Sequence, residues 1–391
     1  MTKVVYLDNA ATTRISEEVL EAMLPFLKEE YGNPSSIYNF SRAARLAIEQ
    51  AREKTAAAIK ADKSEIFFTS GGTEADNWAL KSVARAMAGS GKKHIITSAF
   101  EHYAVLHSAQ ALEKEGFDLT YLPVGKEGVV TAEKVDDAIR PDTGLVSVMY
   151  VNNELGTLMP IDEIGLVCRE NGIIFHTDAV QAAGNVEIDV ESQNIDLLSL
   201  SAHKINGPKG TGALYCRSGV NLAPLIHGGA QERGKRAGTE NVAGIAGFGR
   251  AIEIAAANIR EKNKKLAPLH DKILAEVLKL PRTYLNGDKE KRVPSIMNFT
   301  FEGIEGESLL LMLDIQGICA SAGSACSSGS LSPSHVLTAL GMDEDIAHGS
   351  LRVSLGAYNT EDDVNALAAA LPKIVNQLRV ISPLWREINR R

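Results

Sequence analysis

The sequence predicts an α/β protein whose large domain is built on a mostly parallel sheet. Between about Glu18 and Ala256, helical stretches alternate with short apolar runs, the pattern that arises when crossover helices cover a parallel sheet. A chain of 391 residues with 45% hydrophobic residues is long enough for one large core and a second, smaller one. We therefore expect a large domain over residues 15–261 and a small α/β domain formed by residues 1–14 and 262–391.

Five short apolar runs between the helical stretches are the predicted strands of the large domain. Each run is followed by glycine or by polar residues, and ligands in open α/β sheets bind beyond the carboxyl ends of the strands. Residues just after each run are therefore the first candidates for a functional site. The runs are Ile66–Thr69, His94–Thr97, Leu145–Val151, Ile173–Phe175 and Leu197–Leu200.

Helical spacing and charge mark the other main elements. The stretch from Ser41 to about Lys60 has apolar residues on one face and charged residues on the other, which indicates a surface helix. Consecutive charged and polar residues near Glu261–Lys265 indicate the domain boundary. The small domain is predicted to contain a strand at Ile296–Phe301 and helices near Ser308–Ile315 and Thr360–Leu378.

The composition argues against two classes of partner. The formal net charge is −8, from 49 acidic and 41 basic residues, so no basic excess favours nucleic acid or an anionic membrane. We expect no secretion signal, and no window reaches the roughly 18 to 20 apolar residues of a membrane span. The four cysteines form no Cys-x-x-Cys pair, so we predict no disulfide framework, no metal site and a cytoplasmic location.

Lys204 and Asp178 each follow a predicted strand. A lysine at that place can form a Schiff base with an aldehyde cofactor if desolvation or nearby positive charge lowers its pKa from about 10.4. A carboxylate there suits the ring nitrogen of pyridoxal phosphate, because it keeps that nitrogen protonated. The alternatives are a solvated loop lysine for Lys204 and the cap of a following helix for Asp178.

A glycine turn after the first predicted strand is a candidate anion site. In Ser70-Gly71-Gly72-Thr73-Glu74 a strand leads through glycines into a helical stretch, and a helix N-terminus offers backbone N–H groups to a phosphate. Gly72 and Thr73 are the candidates, although this pattern is also typical of an ordinary helix cap. Ser201 and His203, beside Lys204, could add side-chain donors.

Four further polar residues are candidates for cofactor or substrate contacts. His102 could stack on a pyridine ring and move protons, and Asn153 and Gln181 could hydrogen-bond the phenolic oxygen of that ring. Arg352 alternates with apolar residues at strand spacing, so it points away from the core, where a guanidinium could hold a substrate carboxylate. A structural histidine and a surface arginine are the alternatives.

Cys326 lies within a stretch of small residues, 321–330. A structural cysteine normally sits among bulky apolar neighbours, whereas a cysteine in a flexible polar segment can present a reactive thiolate. Such a thiol could attack the sulfur of a bound substrate and carry it away as a persulfide; a plain flexible linker is the alternative. Cys168, Cys216 and Cys319 have apolar or strand-like surroundings and are expected to be structural.

Several motifs together resemble the cysteine desulfurases, and the match spans nearly the whole chain. Residues 231–241, 323–326, 333–336 and the tail 381–383 look most like the nitrogen-fixation type of that family. The motifs that carry the family resemblance are Tyr6-Leu7-Asp8-Asn9-Ala10-Ala11-Thr12-Thr13, Gly32-Asn33-Pro34-Ser35-Ser36, His176-Thr177-Asp178-Ala179-Val180-Gln181, Ser201–Lys204 and the Cys326 segment.

This resemblance implies a homodimeric, fold-type I pyridoxal phosphate enzyme of the class V aminotransferase superfamily, with a seven-stranded, mostly parallel sheet. It implies conversion of L-cysteine to L-alanine, with the sulfur passing as a persulfide to an iron-sulfur scaffold or another acceptor protein. By the family's motifs, Lys204 binds the cofactor covalently and Thr239 reaches its phosphate from the neighbouring subunit. Arg352 and Asn153 contact the substrate, and Cys326 accepts the sulfur.

Three other functions remain open at this stage. A selenocysteine lyase would strongly prefer selenocysteine over cysteine, and a class V aminotransferase has no use for Cys326. A non-catalytic sulfur-protein scaffold would not need Lys204 and Asp178 together.

Overall fold

The computed structural model describes residues 4–323 and 333–388. The strands are β1 (Val5–Tyr6), β2 (Ile66–Thr69), β3 (His94–Ser98), β4 (Asp118–Leu122), β5 (Thr143–Ser147), β6 (Ile174–Asp178), β7 (Leu197–Ser201), β8 (Gly212–Cys216), β9 (Thr283–Leu285), β10 (Ile296–Phe301), β11 (Ile318–Cys319) and β12 (Ser350–Ser354). The helices are α1 (Glu17–Lys28), α2 (Arg42–Ala58), α3 (Gly72–Ala88), α4 (Tyr103–Lys114), α5 (Ala132–Asp137), α6 (Ile161–Glu170), α7 (Gln231–Gly234), α8 (Val242–Ala257), α9 (Ile259–Val277), α10 (Gly306–Ile315), α11 (His335–Ala339), α12 (Glu344–Ala347), α13 (Glu361–Ile381) and α14 (Pro383–Ile388).

Seven strands form the main sheet, in the spatial order β2-β8-β7-β6-β5-β3-β4. Strand β8 runs antiparallel to both of its neighbours, and the remaining pairs are parallel. The carboxyl ends of the six other strands therefore meet at one edge of the sheet. The predicted α/β fold with a mostly parallel, seven-stranded sheet is confirmed.

Neighbouring residues of each central strand pack on opposite faces of this sheet. Leu197 of β7 belongs to an apolar cluster with Trp78 of α3, whereas Leu198 belongs to a cluster with Ile48 of α2 and Phe248 of α8. Since both faces are covered by helices, the central strands are apolar on both sides and read as continuous apolar runs in the sequence.

The strands differ from the predicted runs in three respects. Strand β5 ends at Ser147; beyond it the backbone N–H groups of Val148 and Tyr150 still donate to carbonyls of β6, and Val151 pairs with Leu158. Strands β6 and β7 continue to Asp178 and Ser201, so both candidate residues occupy the last position of a strand. Strands β4 and β8 were not predicted: β4 is a partly exposed edge strand, and β8 begins with small residues.

The predicted helix near residues 41–60 is α2, and its apolar face is buried as expected. It ends at Ala58 rather than at Lys60, which has left the helix and adopts φ +57°. The predicted strand at 296–301 is β10, and the two later predicted helices correspond to α10 and α13.

A second group of strands and helices lies beyond α8. Strands β12, β10 and β9 form an antiparallel sheet, and β1 pairs with β11 in parallel. A separate apolar cluster joins Val5 and Leu7 to residues from Leu266 onward. The charged residues 261–265 lie inside the continuous helix α9, so they do not form a linker, and the division into domains at residue 261 stays a prediction.

Among residues 4–323 and 333–388, no single helix is long and apolar enough to cross a membrane. Helices α8 and α9 meet the length and hydropathy criterion only as a pair, with a bend of 68° between them.

A buried ion pair links α2 to strand β2, which leads into the glycine turn. The Arg52 guanidinium donates to both carboxylate oxygens of Glu232, at 2.8 and 2.9 Å, and both side chains are buried. Glu232 also accepts from the backbone N–H of Phe68 in β2. Glu232 and Arg233 have φ of +45° and +58°, a costly conformation for these residues, so the ion pair holds a strained segment in place.

Removal of Arg52 is expected to destabilise the protein more than removal of an exposed arginine. Arg52→Ala leaves the buried Glu232 carboxylate without a counter-ion, and the free energy of unfolding should fall by about 3 to 5 kcal/mol. Arg85→Ala, which breaks an exposed pair with Glu115, should cost about 1 kcal/mol or less. Urea unfolding of both variants measures the difference, and equal losses would contradict this assignment.

Candidate active site

A cavity of about 160 Å³ lies at the edge of the main sheet where the parallel strands end. Its walls come from the N-terminus of α3, from the segments after β3, β5 and β6, from the turn after β7, and from β12. Ten of the candidate residues line this cavity: Gly72, Thr73, His102, Asn153, Asp178, Gln181, Ser201, His203, Lys204 and Arg352. The candidate residues chosen from the sequence therefore lie around one cavity and are not scattered over the protein.

Lys204 lies in a single helical turn, Ala202–Lys204, directly after β7. Its Nζ donates to the backbone carbonyls of Ala10 and Ala11, at 2.6 and 2.7 Å. The alternative of a solvated loop lysine is therefore wrong. These two acceptors were not found from the sequence, because any residue supplies a backbone carbonyl and only the fold brings this segment to the cavity.

Asp178 ends β6, and its Oδ1 accepts from the backbone N–H of Val180 at 2.9 Å. Residues 179–196 form turns and no helix, so the alternative role as a helix cap is wrong. Burial raises the pKa of Asp178, while His102, Lys204 and the N–H of Val180 act in the opposite direction. A protonated ring nitrogen facing this carboxylate would add the positive charge that favours its ionised form.

Asp76 of α3 is a second buried carboxyl in the cavity wall, and the sequence analysis missed it. An oxygen of Asp76, an oxygen of Asp178 and a ring nitrogen of His102 all lie within 4.8 Å of one another. Burial, and after it the charge of Asp178, raises the pKa of Asp76 well above its usual range. Two carboxylates this close rarely ionise together, so we infer that Asp76 stays protonated. The prediction of no metal site stays a prediction.

His176 of β6 lies behind these carboxyls and is held by hydroxyl groups. Its Nδ1 lies 2.8 Å from Ser147 Oγ and its Nε2 lies 3.1 Å from Ser199 Oγ. Burial lowers the pKa of His176 to about 3. A neutral His176 therefore offers Asp76 no compensating charge, which agrees with a protonated Asp76.

The glycine turn forms one end of the cavity. Gly71, at φ +154° and ψ −179°, has a conformation essentially restricted to glycine, and Gly72 begins α3. A Cβ added to Gly72 would lie 2.6 Å from a methyl carbon of Val180, so a larger residue would clash there. The turn places the N–H groups at the start of α3 against the cavity, where an anion could accept from them; its role as a phosphate site stays a prediction.

His203 and Ser201 line the cavity beside the glycine turn. Burial, and after it the charges of Lys204 and Lys209, lowers the pKa of His203 to about 4. Its Nδ1 lies 3.1 Å from Thr12 Oγ1. A neutral ring fixed in this way can offer its other nitrogen to a ligand.

His102 is the N-cap of α4, and its Nδ1 accepts from the backbone N–H of Ala104 at 3.1 Å. Gln181 donates to the carbonyl of Ala10 at 2.9 Å. The buried Asn153 Oδ1 has no hydrogen-bond partner among the described residues. An unsatisfied buried oxygen in a cavity wall favours a ligand with a matching donor.

Arg352 of β12 points into the cavity, so the alternative of a surface arginine is wrong. Its side chain is 1% exposed. The flanking Leu351 and Val353 lie on the other face of the strand, in the second apolar cluster, as the alternation predicted. Arg352 donates to the carbonyl of Asn153 at 3.0 Å and to Asp8 Oδ1 at 2.9 Å. Asp8 is a site residue that the sequence analysis did not single out.

Two candidates are not in the cavity of this chain. Thr239 is exposed and lines a different cavity, next to Ser70 and Gly210. Cys326 lies outside the described residues, which end at Gly323 and resume at Pro333. The roles of both residues stay predictions.

The other three cysteines lie as the sequence predicted. Cys168 and Cys216 are buried and Cys319 is half-buried. Burial raises the pKa of all three thiols, that of Cys216 to about 12. A raised thiol pKa disfavours the reactive thiolate.

The residues of the cavity fit pyridoxal phosphate. At one end, the glycine turn before α3 offers helix N–H groups in a backbone conformation that favours glycine. Near the centre, the buried Asp178 carboxyl and the Lys204 amine line the same cavity. The side-chain amide groups of Asn153 and Gln181 could donate to a phenolic ring oxygen, and the unsatisfied Asn153 Oδ1 could accept from a donor on the ligand. A phosphate group, a ring nitrogen, an aldehyde and a phenolic oxygen would each have a partner.

Comparison with known proteins identifies the family of this chain. A model of the family described as aminotransferase class-V matches residues 5–367. A cysteine desulfurase IscS of Clostridium botulinum is 56% identical over 390 residues, which cover 99% of this chain and 98% of that protein. One of Methanosarcina thermophila is 57% identical over 382 residues, which cover 98% and 94%.

A solved structure described as a NifS-like protein has a TM-score of 0.90 and 40% identity, and covers 97% of this chain and 100% of that chain. With the match extending over nearly all of the sequence and the fold, and with a lysine and a buried carboxyl at the ends of adjacent strands, the chain belongs to the aminotransferase class-V family, whose members generally depend on pyridoxal phosphate.

Proposed function

We propose that this chain is a pyridoxal phosphate-dependent cysteine desulfurase that converts L-cysteine to L-alanine and transfers the sulfur to Cys326 as a persulfide. The observation that carries this proposal is that Lys204 and Asp178 line the same cavity. Relatives that match nearly the whole chain at 56% and 57% identity are named cysteine desulfurases.

Different residues of the cavity would bind different groups of the cofactor. Lys204 would hold it covalently and Asp178 would pair with its ring nitrogen. His102 would stack on the ring. The phosphate would lie against Gly72, Thr73, Ser201 and His203, and the phenolic oxygen against Asn153 and Gln181.

Thr239 is expected to complete the phosphate site of a second copy, which makes the active enzyme a homodimer. It is exposed on the loop between α7 and α8. The same loop is tied to the glycine turn by Arg236, which donates to both oxygens of Glu74 at 2.9 and 3.1 Å. This tie supports a fixed position for Thr239 at the surface.

When bound, the cofactor draws electron density from the substrate Cα through its protonated ring. The protein supplies the remaining parts of the reaction. Arg352 binds the α-carboxylate and fixes the orientation of the substrate. The Lys204 amine acts as a base that removes the proton from Cα, and it can return a proton later.

Cys326 thiolate then attacks the substrate sulfur. The new S–S bond forms as the C–S bond breaks, and the electron pair of the C–S bond stays with Cβ, which takes up a proton. Cysteine and the Cys326 thiol thus give alanine and the Cys326 persulfide, and no other oxidant or reductant is consumed.

The persulfide sulfur is expected to pass to an iron-sulfur scaffold or another acceptor protein. The Cys326 thiol must be reduced before it can attack the substrate sulfur, which agrees with a reducing cytoplasm. The three described cysteines are free.

The test is turnover by the purified, cofactor-loaded protein with L-cysteine and a thiol reductant. We expect equal amounts of alanine and sulfide. A holoenzyme that is inert to cysteine but exchanges amino groups with a 2-oxo acid would be an aminotransferase, and strong preference for selenocysteine would indicate a lyase. A protein that cannot be loaded with the cofactor would contradict the proposal.

A further inference from the structure

Asp8 forms a fixed ion pair with Arg352 in the cavity wall. Its Oδ1 accepts from Arg352 Nη2 at 2.9 Å, and its Oδ2 accepts from Ser321 Oγ at 3.0 Å. Backbone bridges join Asp8 to Ser354 and Ser321 to Arg352. Asp8 is therefore a built part of the site and not a loose surface counter-ion.

Arg352 retains donors for a further anion although Asp8 is bound. A guanidinium has five N–H groups, and the bonds to Asp8 and to the carbonyl of Asn153 use two of them. Its Nε has no hydrogen-bond partner among the residues that the structure describes. A substrate carboxylate can therefore bind to Arg352 while Asp8 stays in place.

The substrate and the product of the proposed reaction make the same contact with Arg352. L-Cysteine and L-alanine share the α-carboxylate and the amino group and differ only at the sulfur. Binding energy from a shared group holds the product as firmly as the substrate and does not accelerate the reaction. A buried guanidinium without a counter-charge would bind both strongly, because water does not screen it.

We propose that Asp8 limits the affinity of Arg352 for the α-carboxylate, so that L-alanine leaves the site after sulfur transfer. Asp8 acts through Arg352 and is a positioning residue. Its carboxylate offsets part of the attraction and repels a second carboxylate on the same guanidinium. The bond to Ser321 prevents Asp8 from moving away when the substrate arrives. This inference rests on the proposed function.

Equilibrium binding of L-alanine to the holoenzyme, measured by isothermal titration calorimetry, tests the inference. Asp8→Asn keeps an oxygen acceptor for Arg352 and removes the charge, so alanine should bind about tenfold more tightly than to the wild type. Ethylamine, which is alanine without the carboxylate, should bind equally to both proteins. The KM for cysteine should fall by a similar factor, and kcat should fall because alanine leaves more slowly.

Asp196→Asn is the matched control. Asp196 pairs with Arg217 at 3.0 Å and accepts from a second donor, the N–H of Phe175, but it does not line the cavity. This variant should bind alanine as the wild type does. The cofactor spectrum and the thermal midpoint of each variant establish that it is folded and loaded, and Asp8→Ser replaces Asp8→Asn if the latter does not fold.

The outcomes separate this inference from the proposed function. Unchanged or weaker alanine binding by a folded, loaded Asp8→Asn protein would overturn the role of Asp8 while the wild type still turned over cysteine. A wild type that neither turned over cysteine nor bound alanine would overturn the proposed function and the inference together.

Discussion

Replacement of Cys326 by alanine is expected to lower the rate of L-alanine formation from L-cysteine by about a thousandfold or more. Alanine has no atom that can attack the substrate sulfur and form the S–S bond. The proposed cofactor-binding residues do not include Cys326, so the absorbance spectrum of the bound cofactor should be unchanged. Chromatographic assay of alanine, with a reductant present, measures the loss.

Cys319→Ala is the matched control for this variant. Burial raises the pKa of the Cys319 thiol, which disfavours the thiolate, so turnover should stay within about twofold of the wild type. Normal alanine formation by Cys326→Ala would contradict the account. A loss in Cys319→Ala as large as that in Cys326→Ala would show that the assay reports on folding rather than on sulfur transfer.

Replacement of Lys204 by arginine is expected to abolish turnover, with a loss of about a thousandfold or more. Arginine keeps the positive charge and can still donate to the carbonyls of Ala10 and Ala11. It cannot form a covalent bond with an aldehyde, and it does not act as a base because its pKa is too high. The absorbance band of the covalently bound cofactor should be lost together with alanine formation.

Lys209→Arg provides the comparison, because Lys209 lies on the same loop and lines the adjoining cavity with Thr12 and His203. Its positive charge contributes to the low pKa of His203, and arginine retains that charge, so turnover should change by about threefold or less. A Lys204→Arg protein with the wild-type spectrum and rate would refute the assignment of the covalent lysine.

The sequence predicted which residues line the cavity well wherever a residue follows a buried parallel strand. Asp178, Ser201 and Lys204 were found because an apolar run ends just before them and the carboxyl ends of parallel strands meet at one edge. Arg352 was found by alternation with buried neighbours in β12. Both inferences depend only on the local sequence pattern, so they can be made without knowledge of the tertiary fold.

Other site residues have no local signal. Asp8 and the carbonyls of Ala10 and Ala11 belong to a short N-terminal segment that reaches the cavity only because β1 pairs with β11, far along the chain. Asp76 lies one helical turn after Thr73 on α3, a spacing that could have suggested a shared face. An acidic residue near a helix start is too common to stand out in a sequence.

The strand predictions failed for a related reason. Strand β4 lies at the edge of the sheet and exposes part of its surface, so it lacks the continuous apolar run by which the central strands were recognised. The segment after β5 is apolar and buried, and it keeps backbone hydrogen bonds to β6 although it is no longer a regular strand. Hydrophobicity alone therefore predicted a strand that continues beyond Ser147.

In the proposed reaction, one sulfur atom moves from L-cysteine to Cys326 while the carbon skeleton leaves as L-alanine. Mass spectrometry of peptides from the holoenzyme, after one equivalent of sulfur-labelled cysteine without reductant, tests this most directly. We expect one labelled sulfur atom on the peptide that contains Cys326, in the same amount as the alanine formed. Label on another cysteine, or release of sulfide with pyruvate instead of alanine, would contradict it.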